Sequence, residues 1–124
     1  MPKPKQKVTS YNLFVPIFNQ NIIVLIGYRA DIETWFEDKN VFTELSPNAD
    51  AACLGFDGEL YIWLTPKPQL STVIHEVAHS VFNIIKTRGL DMEDEEVFCY
   101  LQEFIIEQIL SCVKVTYPTL MDHI

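Results

Sequence analysis

The sequence predicts a small α+β domain: a small antiparallel or mixed β-sheet, with a metal-motif helix packed against a second long helix near the C-terminus. Three observations carry this. Strand-length apolar runs fill the first half of the chain, turn signals separate them, and two long segments with apolar residues at three-four spacing follow.

Tyr11 to Tyr28 is rich in Phe, Val and Ile and is interrupted by Asn19-Gln20-Asn21, which predicts two strands joined by a tight turn. Ile32, Trp35 and Phe36 recur at helical spacing between Asp31 and Lys39, with acids placed to suit a helix N-terminus. After Ser46-Pro47-Asn48, the runs Ala51 to Phe56 and Leu60 to Leu64 flank Asp57-Gly58, a strong hairpin signal. Pro66 and Pro68 end the last strand. Val73, Ile74, Val77, Ala78, Val81, Phe82 and Ile85 then form one apolar arc of a long helix that Gly89 caps. Val97, Leu101, Phe104, Ile105 and Ile109 predict a second long helix from about Asp94 to Cys112.

The length of 124 residues fits one domain, read as residues 11–124, preceded by a flexible basic tail over 1–10 that holds Lys3, Lys5 and Lys7. A formal net charge of -8 argues against nucleic acid as a partner, because phosphate binding needs a cationic face. The longest apolar run, Ile22 to Ile26, is strand-sized, so no membrane span and no secretory leader is expected. Cys53, Cys99 and Cys112 are odd in number and widely spaced, the pattern of reduced thiols in a cytoplasmic setting.

The chemistry is concentrated in His75-Glu76-Val77-Ala78-His79. On a helix, a spacing of four puts both imidazoles on one face, one turn apart, as two ligands for one zinc ion. Glu76 projects about 100° away and can deprotonate an activated water without ligating. With 3 histidines in the chain, chance produces this pattern about once in two hundred such sequences. A catalytic zinc wants a third protein ligand. Asp91, Glu93, Asp94, Glu95 and Glu96 are the nearby acids, and Glu96 best meets the boundary between the apolar stripe and the solvated face of the second helix. Glu95 and Cys99 remain alternatives, and Asp94 and Glu93 read as helix-start charges. Tyr100 is a candidate donor to a developing oxyanion, Trp35 and Trp63 read as packing, and His123 as a tail residue.

His75-Glu76-x-x-His79 followed by Glu96-x-Phe98-x-Tyr100-Leu101 resembles small phage-encoded zinc metallopeptidase-like proteins, minimal Glu-ligated zincins, over about residues 60 to 110. Cys99 stands where those proteins usually have alanine. The resemblance implies a zincin-like fold, zinc as cofactor, Glu96 as third ligand, and peptide hydrolysis in the host cytoplasm. It also implies that the strand before the metal helix, here Leu60, Tyr61, Ile62, Trp63 and Leu64, lies at the sheet edge and pairs with an extended peptide or protein substrate. The reading from another class is a non-catalytic phage interaction protein that keeps a structural zinc site only to hold its two helices together, or that binds a host protein without cleaving it; the small size of the chain suits it.

Overall fold

In the computed structural model the described residues are 7–91 and 93–117. The elements are β1 (Thr9–Val15), β2 (Gln20–Ile26), α1 (Arg29–Asp38), β3 (Ala51–Phe56), β4 (Glu59–Leu64), α2 (Leu70–Thr87) and α3 (Glu95–Cys112). They form a small α+β fold around one mixed four-stranded sheet of order β1-β2-β4-β3. β1 pairs antiparallel with β2, and β3 with β4. β2 and β4 run parallel at the centre, Ile22 opposite Leu60 and Ile26 opposite Leu64.

Local chemistry explains most boundaries. β1 stops before Pro16, which has no N–H for a ladder, and the turn spans Pro16 to Asn19, whose φ is 50°. The turn thus lies upstream of the expected Asn19-Gln20-Asn21: Ile17 is exposed although apolar, and Gln20 already belongs to β2. At the other end β1 begins at Thr9 with Val8 buried, so ordered chain reaches into the stretch read as tail; residues 1–6 lie outside the described ones. Asp57 and Gly58, with φ of 51° and 80°, supply the two left-handed positions of a tight hairpin turn between β3 and β4. Asp94 caps α3, its Oδ1 accepting from the Val97 N–H at 3.2 Å.

Alternation along the central strands sends side chains to two cores. Ile22, Val24, Leu60, Ile62 and Leu64 meet Val73, Val77, Val81, Ile84 and Ile85 of α2, and Leu101, Ile105 and Ile109 of α3. Leu25, Tyr61 and Trp63 face the other way, onto Ile32 and Phe36 of α1. The sheet is therefore covered by the helical pair on one face and by α1 on the other. The helices α2 and α3 are antiparallel: the Leu70 N–H at the start of α2 donates to Thr116 O beyond the end of α3 at 3.0 Å, and Phe82 packs on Phe98 with ring centroids 5.3 Å apart. Among the described residues no helix is long and apolar enough to cross a membrane.

Trp63 is fully buried, and its Nε1–H donates to Gly27 O at 2.9 Å where β2 leaves the sheet. Trp63→Phe leaves that carbonyl unpaired and opens a void. It is expected to cost about 2–4 kcal/mol, read as a lower urea midpoint with an unchanged m-value.

Candidate active site

The apolar arc of α2 fixes the helix against the sheet, and this rotation decides where its polar residues point. Glu76 and Ser80 fall on the flank facing β3 and are buried, whereas His75 and His79 are exposed. Ser80 keeps its hydroxyl satisfied within the helix by donating to Val77 O.

The two imidazoles converge. His75 Nε2 and His79 Nε2 are 3.1 Å apart, with ring centroids at 4.7 Å. Two zinc–nitrogen bonds of about 2.05 Å at a tetrahedral angle span about 3.3 Å, so this separation matches the bite of one ion. Without an ion, the same distance serves an N–H of one ring donating to the bare nitrogen of the other.

Burial pushes the Glu76 carboxyl above its ordinary value, opposed by the neighbouring His79 and His75 and reinforced by Asp50. Among the described residues no group donates a hydrogen bond to its carboxylate, which leaves the oxygens free to handle a proton. Two hollows flank it. One, of about 260 Å³, includes Leu45, Ser46, Ala49, Cys53, Glu76 and His79 in its lining. The other, of about 400 Å³, is bounded by Asp50, Ala51, Ser71, Thr72, His75 and Glu76. A further hollow of about 870 Å³ lies between α1 and residues 40–47 and shares Glu44 and Leu45 with the first.

The expected third ligand is not in place. Among the described residues, no group of three or more His, Cys, Asp or Glu side chains is positioned to hold a metal ion. The reason is the antiparallel helix pair. With Phe82 beside Phe98 and Leu70 beside Thr116, the α3 residues level with His79 are about 101–107, so Glu96 lies at least roughly 7 Å too far along the axis. Glu95 is farther still, and Glu95, Glu96 and Cys99 are all exposed. Spacing alone predicts a donor at the start of the second helix, but a short connection brings that start to the far end of α2. Tyr100 stacks on Phe104 and lines neither hollow beside Glu76.

No family model, curated protein or solved structure matches the chain. With no relative and no three-donor group, the likeness to phage-encoded minimal Glu-ligated zincins does not hold, and Glu96 loses the role that likeness implied.

The strand assignment changes as well. Residues 60–64 lie in β4, paired on both sides by β2 and β3, so Leu60, Tyr61, Ile62, Trp63 and Leu64 have no free edge to offer a substrate. The edge beside Glu76 belongs to β3. The sequence pattern assigns Cys53 only as a reduced thiol and Ser46-Pro47-Asn48 only as a turn, and gives Asp50 no role, whereas Cys53, Ser46 and Asp50 all border the hollows beside Glu76. The alternation of Ala51 and Cys53 toward the α2 face was the available signal. His123 lies outside the described residues.

Two outcomes follow. Burial pushes the Cys53 thiol from 9.0 up to about 12, with Glu76 adding to the effect, so near pH 8 it carries about a thousandfold less thiolate than an ordinary cysteine. Iodoacetamide should therefore modify exposed Cys99 long before Cys53, as read by peptide mass. Glu96→Ala should change zinc affinity by less than about twofold in a calorimetric titration, since its carboxylate stands apart from the histidines.

Proposed function

We propose that this protein is a zinc-dependent hydrolase of peptide or amide bonds, working in a reducing, cytoplasmic setting, with His75 and His79 holding the ion and Glu76 as general base. The observation that carries this reading is the 3.1 Å approach of two imidazole nitrogens beside a buried, undonated carboxylate. A zinc ion bound there supplies Lewis acidity toward a carbonyl and lowers the pKa of water.

The residues of the chain do the rest. β3 is an edge strand, so its outer backbone groups can align an extended peptide antiparallel or parallel to it, across the mouth of the two hollows. The hollow at His79, floored by Ala49, Ala52 and Cys53, suits a small side chain; the one at His75, with Asp50, Ser71 and Thr72, suits a polar one. Glu76 sits between them. Its raised proton affinity suits it to take a proton from the attacking water and return it to the leaving amine. Among the described residues no third donor stands beside the two histidines, which falls one short of a catalytic zinc site and two short of a structural one tying α2 to α3; Glu76 beside the pair favours the catalytic reading.

Two variants test this. Glu76→Gln should keep zinc bound and lower peptide hydrolysis about 10²–10⁴-fold, because the amide holds the shape without the basicity. His79→Ala should weaken zinc about a hundredfold or more, roughly one ligand's share of a site. Elemental analysis and a fluorogenic peptide assay separate the two effects. Zinc affinity that survives His79→Ala would exclude the site, and hydrolysis that survives Glu76→Gln would exclude the base.

A further inference from the structure

The segment between α1 and β3, residues 39–50, has neither helix nor strand, so its carbonyls have no ladder to pair with. Arg29, the first residue of α1, gathers them. Its Nη1 donates to Ser46 O at 2.6 Å, Pro47 O at 3.1 Å and Ala49 O at 3.2 Å, and its Nη2 to Leu45 O at 3.3 Å. The remaining edge is held by Glu33, whose Oε1 accepts from Nε at 2.8 Å. A cation at a helix N-terminus is opposed by the helix dipole, so this placement is not explained by α1 itself. The planar guanidinium spreads five donors over three nitrogens and so reaches four carbonyls and Glu33 together; a lysine ammonium is a point charge with three donors on one nitrogen.

The clamped segment is a wall of the candidate site. Leu45, Ser46 and Ala49 face Cys53, Glu76 and His79 across the smaller hollow, and Asp50 follows directly, beside His75 and Glu76. We propose that Arg29 is the positioning residue of this site, holding segment 45–49 in place so that the hollow beside Glu76 keeps its shape for substrate. Its meaning for turnover rests on the hydrolase reading above; the clamp itself does not.

The test uses the full chain with Arg29→Ala, Arg29→Lys and Glu33→Gln. The first readout is alkylation of Cys53 under the wall, with Cys99 and Cys112 in the same molecule as controls. Arg29→Ala should speed Cys53 modification about tenfold or more, with the other two cysteines unchanged; Arg29→Lys should restore the slow rate only in part, and Glu33→Gln should give a smaller rise. The second readout is a fluorogenic peptide: KM should rise about tenfold in Arg29→Ala while kcat stays within about twofold, as lost positioning of substrate requires. An unchanged Cys53 rate in Arg29→Ala overturns the proposal, as does a rise shared by all three cysteines, which would mean general loosening. If Arg29→Ala does not fold, an unchanged Cys53 rate in Glu33→Gln and Arg29→Lys overturns it equally. Selective exposure of Cys53 in a protein that cleaves no peptide would leave the clamp standing and remove the hydrolase reading. Cleavage with an unaltered KM in Arg29→Ala would overturn the positioning role and leave the hydrolase reading standing.

Discussion

Everything chemical in this molecule depends on how α2 is rotated about its own axis. Val73, Val77, Val81, Ile84 and Ile85 are each fully removed from water, and burying them admits one orientation of the helix on the sheet. That orientation turns Glu76 toward the β3 flank and leaves His75 and His79 at the surface with their nitrogens together. A carboxylate in such a position loses hydration, and the apolar packing that fixes the helix outweighs this local cost. The helix is held at both ends too: around its start the Thr116 N–H donates to Pro68 O and the Leu70 N–H donates to Thr116 O, and Gly89, with φ of 68°, turns the chain at its end.

Patterns that act over a few residues were readable from the sequence. Asp57-Gly58 placed the β3–β4 hairpin, three-four spacing placed α2 and α3, and the four-residue histidine interval placed both rings on one face. The elements agree with expectation to within about two residues, apart from the first turn, where Pro16 outweighed the apolar character of Ile17 and Phe18. Relations between distant segments were not readable. Nothing local to Leu60–Leu64 names β2 as the partner along its far side, although the unbroken apolar run Leu60-Tyr61-Ile62-Trp63-Leu64, with no polar alternation, is what a strand buried on both faces requires. Likewise Glu96 looked well placed on a helical wheel, because a wheel records angle and discards height along the axis.

The acidic run before and within α3 finds its explanation in that helix. Asp94 caps it, and Glu95 and Glu96 lie in its first turn, where the dipole favours negative charge. Besides Glu76 itself, the acids that share a hollow with the histidines, Glu44 and Asp50, come instead from the irregular segment ahead of β3. Side chains that serve helix stability and side chains that border the site thus come from different parts of the chain.

The parallel seam between β2 and β4 also sets an order of assembly. Each hairpin closes over a handful of residues, whereas pairing Ile22 with Leu60 encloses α1, the irregular segment and β3 in one loop, with the larger closure entropy that such a loop carries. Arg29 sits just past the end of β2 and its carbonyl partners just before β3, both inside that loop and 16 to 20 residues apart. The wall can therefore close around Arg29 within the larger loop, but the hollow it borders also needs Cys53 and Glu76, so the site is complete only when β3 and α2 are seated on the sheet.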